Sequence, residues 1–478
     1  MMDLSYLSIA DAGRLFRTKE LSPSELAGHL LERINRINPQ CHAFLQIDED
    51  AVLAQAAIAE AEMSAGNWRG PLHGIPYALK DLIDVAGIPT TCHSKILSGN
   101  KADHDATVVS RLRDAGAILI GKTSLHEFAI GGPSRDLPWP PALNPWNLDL
   151  HPGGSSSGSG AALAAGLVPA ALGTDTGGSI RNPATCCGVV GMKPTYGLVS
   201  RHGVFPLSFS LDHVGPMTRT VKDNALLLQV LAGFDSNDPT SMNRRVHDLS
   251  SQLGLGLKGL RIGVLEHFFT EDSVADSQLV GALQRATDVL AGLGANIAPA
   301  RLAPLSTWVA CGRVIQQAEQ YVVHEKWLQL RPEDYCESSR SKLLAGAFIS
   351  SRDYLKMSQI RRLLRNEFDV LMKQFDAVVT LSSFHLPCRI DRQDEIVRTY
   401  EQQARMPFNL TGTPVIAVPI GFSEDGLPLG MQIAAKAFDE AMLYRIADAY
   451  GRATEWTSRH PLESSLDLQC ATNTMSTS

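Results

Sequence analysis

The residues best suited to chemistry lie in one stretch, Pro152–Pro194, which contains two loops rich in glycine and serine. The first loop spans Gly153–Gly160 and the second spans Thr174–Ile180, with a segment of small residues, Ala161–Gly173, between them. Serine supplies a nucleophilic hydroxyl, and glycine lets a ligand approach the main chain closely. The two loops therefore predict a site built from hydroxyl groups and backbone N–H groups.

Three other interpretations fit these loops less well. A flexible linker is disfavoured because apolar, strand-like segments follow both loops. A phosphate-binding loop needs Lys and then Ser or Thr after its glycines, and Ser159-Gly160-Ala161 supplies neither. Residues 154–158 match the G-x-S-x-G pattern of a nucleophile elbow, but residues 144–152 before them make a poor strand, with two prolines and no β-branched residue.

The stretch closely resembles the amidase signature family. That family has a GGSS-x-G-S loop, then GTDTGGSIR, then CGVVG-x-KPT, and this chain has GGSSSGS at 153–159, GTDTGGSIR at 173–181 and CGVVGMKPT at 187–195. Ser157 stands where the family usually has Gly, and serine also tolerates turns. The family's G-I-P-x-x-x-K-D motif matches residues 74–81, and residues 121–129 resemble its G-K-T-N-x-x-E-F-A segment.

The resemblance implies a role for each residue of these motifs. Ser179 is the nucleophile, Lys80 is the general base, and Ser155 relays a proton between them. The oxyanion hole is formed by the backbone N–H groups of four consecutive residues, Thr176, Gly177, Gly178 and Ser179. The peptide bond before Ser155 is expected to be cis. Asp175 and Arg181, which flank the nucleophile loop, are expected to support it.

The sequence around Lys80 agrees with its implied role. Tyr77–Leu79 is predicted to be a short buried strand, so Lys80 comes at the end of that strand and points toward the interior. A lysine can act as a base where burial disfavours its charged form. Three histidines lie nearby in sequence but outside the motifs, at 151, 202 and 213. A Ser-His-Asp arrangement would therefore lack its base.

Two enzymes of this family stay open as interpretations. One is a free-standing amidase that cleaves a carboxylic amide through an acyl-enzyme, with esters or carbamates as side substrates. The other is the A subunit of glutamyl-tRNA amidotransferase, which releases ammonia from glutamine and which residues 91–97 and the chain length resemble. Two departures favour the free amidase. Gly131–Trp139 replaces the subunit's SSTENSAF-like loop, and Gln402 stands near its usual amine-binding Asp.

A binding protein without activity is the third class, and the intact triad positions disfavour it. For either enzyme we expect four residues to border the substrate: Gly131, Gly132, Trp139 and Phe205. Together with Phe128 and Phe209, the two aromatic residues of this set suggest an apolar pocket, although these side chains fit a hydrophobic core equally well.

Composition excludes several classes of protein. The chain is 44% hydrophobic and 19% charged, as ordinary soluble proteins are. Its net charge of −7 comes from 43 basic and 50 acidic residues without blocks, so no patch for nucleic acid is evident. No apolar run reaches the roughly 18 residues of a membrane span, and the N-terminus does not resemble a signal peptide. We therefore expect a cytoplasmic protein that neither binds nor crosses a membrane.

The cysteines and histidines predict neither a metal site nor another cofactor. The eight cysteines form no C-x-x-C pair and are expected to be reduced and mostly buried, with Cys186 and Cys187 packing behind the active loop. No metal-ligand spacing appears. The expected partner is a small amide substrate, and a homodimer stays open.

Strands alternate with helices along the chain, which predicts an α/β protein with one large domain. We expect a mixed, largely parallel sheet covered by helices, as the amidase signature fold implies. Residues 1–65 are expected to form N-terminal helices that pack on the core, 66–460 the signature domain, and 461–478 a polar, disordered tail. In the first part, Ser22–Glu25 is a capping box that opens a helix, which we expect to end near Asn38 because Pro39 follows.

Overall fold

An eleven-stranded sheet runs through the protein in the computed structural model, which describes residues 3–461. The strands are β1 (Phe44–Ile47), β2 (Pro76–Lys80), β3 (Ile118–Thr123), β4 (Ala170–Asp175), β5 (Val190–Lys193), β6 (His213–Thr218), β7 (Arg261–Val264), β8 (Asn296–Pro299), β9 (Ala377–Leu381), β10 (Val415–Phe422) and β11 (Pro428–Ala434). Their order across the sheet is β1-β3-β2-β4-β6-β5-β10-β11-β9-β7-β8.

Strand direction changes across the sheet. β2 pairs in parallel with β3 and β4, and β7 pairs in parallel with β8 and β9. The central pairs from β4 to β9 are antiparallel, because β10 and β11 form a hairpin and β6 runs against both of its neighbours. The predicted α/β class and mixed sheet are confirmed, with parallel pairing confined to the two flanks. Because β2 and β4 are parallel neighbours, their C-terminal ends meet at one edge of the sheet.

Helices pack against the sheet and against one another in the described part of the chain. They are α1 (Ile9–Thr18), α2 (Pro23–Cys41), α3 (Glu49–Ser64), α4 (Thr107–Asp114), α5 (Ser157–Ala164), α6 (Arg181–Cys187), α7 (Val221–Leu231), α8 (His267–Thr270), α9 (Ser277–Gly292), α10 (Leu305–Leu330), α11 (Glu337–Ala345), α12 (Ser351–Leu371), α13 (Gln393–Glu401), α14 (Met406–Thr411) and α15 (Glu440–Ala453). Tyr77 and Leu79 pack in one hydrophobic cluster and Ala78 in another. This alternation shows that both faces of β2 are covered.

The N-terminal segment contributes a strand as well as helices. The predicted capping box is present, since Glu25 N–H donates to Ser22 Oγ at 3.2 Å and Ser22 N–H donates to the Glu25 carboxylate at 2.7 Å. The helix ends at Cys41 rather than near Asn38, because Pro39 is accommodated within its last turns. β1 then joins the edge of the sheet, an element that the expectation of N-terminal helices alone omitted.

The other sequence expectations concern the surface and the termini. None of the helices between residues 3 and 461 is both long and apolar enough to span a lipid bilayer. The seven cysteines in this range are free and buried, including Cys186 and Cys187. The tail that we expected to be disordered lies outside the described residues from 462 onward.

Candidate active site

Lys80 is the last residue of β2 and is fully buried. Its Nζ lies 2.7 Å from Ser155 Oγ and 2.8 Å from Thr174 Oγ1 on neighbouring β4. Burial lowers the pKa of Lys80 to about 7, because it outweighs the opposing effect of the Asp175 and Asp212 carboxylates. A large share of Lys80 is therefore neutral near pH 7, and the neutral amine can accept a proton.

Ser155 lies just before α5, and the Gly154–Ser155 peptide bond is cis, as the family resemblance implies. The His126 ring packs so closely on Gly154 that a Cβ there would overlap it. The backbone N–H of His126 also donates to the Ser155 carbonyl at 3.1 Å. The segment between β3 and α5 therefore fixes the main chain at Ser155, and only glycine fits at position 154 before it.

Ser179 lies in the short loop between β4 and α6. It borders a cavity of about 200 Å³ together with Thr176 and Gly177. The Ser179 carbonyl accepts a hydrogen bond from Ser156 N–H at 3.2 Å, which joins the two glycine-rich loops. Among residues 3–461 we see no hydrogen bond of the Ser179 hydroxyl, so the bonded pair in this structure is Lys80 and Ser155.

Asp175, at the end of β4, holds the nucleophile loop from beneath. Its carboxylate accepts hydrogen bonds from Gly178 N–H at 2.8 Å, Ile180 N–H at 3.2 Å and Asn409 Nδ2 at 2.8 Å. The Arg181 guanidinium donates to both carboxylate oxygens, at 3.0 Å and 2.9 Å. Burial alone would raise the pKa of Asp175, but Arg181 and these donors hold the pKa well below its usual range. The supporting part expected of Asp175 and Arg181 agrees with these contacts.

The contacts of Asp175 change the expected set of oxyanion donors. The Gly178 N–H already donates a hydrogen bond to that carboxylate, so it is not available to bind the oxyanion. The backbone N–H groups of Thr176, Gly177 and Ser179 have no hydrogen-bond partner among the described residues. Gly178 instead has a steric role, because its φ is +120° and a Cβ would overlap the Arg405 side chain.

The four residues expected to border the substrate are not all brought together. Gly131 lines the same cavity as Ser179. Phe205 lines a second cavity of about 540 Å³, whose wall shares three residues with the first: Ala129, Thr176 and Leu207. Gly132 and Trp139 line neither cavity. Gly132 lies against Gln393, and the Trp139 carbonyl accepts a hydrogen bond from the His93 ring at 3.1 Å.

Both polar and apolar side chains line the cavity beside Ser179. One face of α10 contributes four polar residues at helical spacing: Arg313, Gln316, Gln317 and Gln320. Lys342 of α11 and Glu401 of α13 complete the charged part of the wall. Phe128 is buried in an aromatic cluster with Phe205 and His324. Phe205 and Phe209 line the second cavity, whose wall is mainly apolar. The polar stripe on α10 is a sequence signal for part of the wall beside Ser179.

His126 is a further cavity residue that the motifs did not single out. Its side chain is 7% exposed, and it lines the cavity with Ser179. Burial, together with the nearby Lys80 ammonium, holds the pKa of His126 well below its usual value, so the ring is neutral at pH 7. Within residues 3–461, no group of three His, Cys, Asp or Glu side chains is arranged to hold a metal ion.

Comparison with known proteins identifies the family of this chain. The sequence profile of the family described as Amidase matches residues 25–444. This chain belongs to the amidase family. A curated relative, the A subunit of the glutamyl-tRNA(Gln) amidotransferase of Roseiflexus sp. (strain RS-1), is 38% identical, and the match covers 96% of this chain and 98% of the relative.

Two solved structures are similar to this one over nearly the whole chain. The native peptide amidase of Stenotrophomonas maltophilia is 32% identical, with a TM-score of 0.82 over 95% of this chain and 98% of that one. A 6-aminohexanoate cyclic dimer hydrolase complexed with substrate is 28% identical, with a TM-score of 0.88 over 98% of this chain and 100% of that one. The amidase signature fold expected from the sequence is therefore confirmed.

Proposed function

We propose that this amidase is a free-standing serine amidohydrolase that cleaves a carboxylic amide through an acyl-enzyme. The observation that carries the proposal is the buried Lys80 amine, with a pKa of about 7, placed 2.7 Å from Ser155 Oγ. The adjacent loop presents Ser179 to a cavity that can hold a small amide. A base, a hydroxyl relay and a nucleophile are the groups that acyl transfer needs.

The first half of the reaction forms the acyl-enzyme. Neutral Lys80 accepts a proton from the Ser155 hydroxyl, and Ser155 accepts the proton of Ser179 as Ser179 Oγ attacks the amide carbon. The developing oxyanion receives hydrogen bonds from the free N–H groups of Thr176, Gly177 and Ser179. When the C–N bond breaks, the proton held by Lys80 returns through Ser155 to the leaving amine.

The second half releases the acid. A water molecule takes the place of the amine, gives its proton to Lys80 through Ser155 and attacks the ester carbon. Collapse of the second tetrahedral intermediate breaks the bond to Ser179 Oγ, which regains its proton. Esters and carbamates pass through the same acyl transfer, so we propose them as side substrates.

The A subunit of a glutamyl-tRNA amidotransferase is the second candidate. It is favoured by the 38% identity to curated proteins of that name over nearly the whole chain. The Gly131–Trp139 loop and Gln402 depart from that subunit, as the sequence indicated. The Gln402 side chain is uncharged and does not line the cavity beside Ser179. This position therefore supplies no anionic partner for the amine of a glutamine substrate.

Covalent labelling tests the proposed nucleophile. A fluorophosphonate probe should label the wild-type protein at Ser179. Ser179→Ala should not be labelled, and its rate of amide hydrolysis should fall by several orders of magnitude. The hydrolysis screen should cover aliphatic, aryl and carbamoyl amides. Near-normal turnover by Ser179→Ala would refute the assignment. Glutamine-dependent amidation of glutamyl-tRNA after addition of partner subunits, without turnover of simple amides, would favour the A subunit instead.

A further inference from the structure

The side chains that line the cavity beside Ser179 carry a net charge of +1. Three charged side chains line it, Arg313, Lys342 and Glu401. Arg313 and Glu401 form an ion pair at 3.1 Å and neutralise each other. The Lys342 ammonium donates to the Gly131 carbonyl at 3.2 Å, and we find no carboxylate paired with it within residues 3–461.

Burial makes this unpaired ammonium unfavourable. The side chain of Lys342 is partly withdrawn from water, and burial lowers its pKa against the opposing effect of Glu401. His126 adds no charge to the cavity, because its ring is neutral. A buried cation is stabilised by an anion that pairs with it, and an anionic group on a ligand would supply what the wall lacks.

Gln320 adds a second unfulfilled group beside Lys342. Its side chain is 2% exposed and lines the same cavity. Its Nε2 donates to the Lys342 carbonyl at 3.1 Å, which fixes the orientation of the amide. Its Oε1 is buried without a hydrogen-bond donor among the described residues. Buried polar atoms are almost always paired, so this oxygen is an unused acceptor that an N–H group of a ligand could fill.

We propose that the substrate is a short amide bearing a carboxylate, which Lys342 binds while Gln320 Oε1 accepts a substrate N–H. The inference rests on the proposed amidase function and names the substrate class of that site. A cavity of about 200 Å³ is smaller than the roughly 300–1,000 Å³ of pockets that take drug-sized ligands, which favours a short chain. A substrate ammonium finds no free anion in the cavity, because Glu401 is already paired with Arg313.

Matched acids and diamides isolate the effect of charge. The full-length enzyme is assayed with malonamate, succinamate and glutaramate, and each is compared with the diamide of the same chain length. We expect kcat/KM for at least one acid to exceed that of its diamide by on the order of tenfold or more, since a charged hydrogen bond at a desolvated site discriminates strongly. Lys342→Met should abolish this preference, and Lys342→Arg should keep it. Lys326→Met, an exposed lysine of α10 outside the cavity, is the matched control.

A binding measurement separates this inference from the proposed function. Ser179→Ala binds these compounds without turning them over, so calorimetry should show the same preference for the acid and its loss in Ser179→Ala/Lys342→Met. Preferential binding of the acids without hydrolysis by the wild type would support the carboxylate site and overturn the amidase proposal. Hydrolysis of acids and diamides at equal rates, or an equal loss for both in Lys342→Met, would overturn the inference alone.

Discussion

The pH dependence of hydrolysis is the most direct test of Lys80 as the base. Only the neutral amine can accept the proton of Ser155, so kcat/KM should rise with pH as Lys80 loses its proton. Burial lowers the pKa of Lys80 from its ordinary value of 10.5 to about 7. The rising limb should therefore bend near pH 7 and level off above it.

The size of the effect follows from the two pKa values. With a pKa of about 7, roughly half of Lys80 is neutral at pH 7 and about a tenth at pH 6, whereas an unperturbed lysine would be neutral in about one molecule in 3,000 at pH 7. The difference corresponds to roughly 5 kcal/mol by which the fully buried site disfavours the ammonium form. Below the bend, kcat/KM should fall about tenfold for each pH unit.

Steady-state hydrolysis from pH 5 to pH 10 measures the limb in the wild type and in three variants. Lys80→Ala should lose several orders of magnitude in kcat/KM and show no limb near pH 7. Lys80→Arg should not restore activity, because guanidinium stays protonated. Lys122→Arg is the matched control, since Lys122 is equally buried on neighbouring β3 but pairs with Asp81 at 2.8 Å. It should leave the position of the limb unchanged.

Two results would refute this role for Lys80. One is an active Lys80→Arg enzyme with the wild-type pH profile, which would reduce Lys80 to a structural cation. The other is a limb that bends above pH 9, which would mean that burial does not perturb the base. A histidine does not account for a limb near pH 7, because burial lowers the pKa of cavity-lining His126 well below that value.

Two substitutions test the framework of the site. Asp175→Asn should lower the free energy of unfolding in urea by about 3–5 kcal/mol, because the buried Arg181 charge loses its partner; a loss within error would show that the pair is not a stabilising element. Gly154→Ala should abolish activity and lower the melting temperature, because the new Cβ overlaps the His126 ring. Gly28→Ala, in α2 with open space at its Cβ, should instead stabilise the protein by about 0.5–1 kcal/mol, and similar effects at both glycines would contradict the packing argument.

The local parts of the site could be predicted from the sequence because they depend on short segments. The apolar run before Lys80 predicts a buried strand, and the structure ends β2 at that lysine. Asp175 and Arg181, the charged residues that flank the nucleophile loop, form an ion pair and lie only six positions apart in the sequence. In each case neighbouring residues along the chain determine the contact.

Contacts between distant segments could not be predicted. The Gly178 N–H was expected to face the substrate, but the turn after β4 directs it to Asp175, and motif letters do not encode that direction. The cavity wall brings Lys342 to Gly131 across more than 200 residues. Aromatic side chains near the motifs fitted an apolar pocket and a hydrophobic core equally well, because composition cannot distinguish the two. In the structure Phe128 is buried in an aromatic cluster, whereas Phe205 and Phe209 line the second cavity.

The division of the cavity between two lengths of chain has a consequence for how such enzymes diversify. Lys80, Ser155 and Ser179 are held by β2, β4 and the loops beside them, whereas the charged and amide side chains of the wall come largely from α10 and α11. Mutations in the two helices can change the charge and size of the cavity while the hydrogen bonds of Lys80 and Asp175 stay in place. Natural substrate ranges are expected to diverge there first, and grafting residues 305–345 between family members is a route to exchanging substrate preference without rebuilding the machinery of hydrolysis.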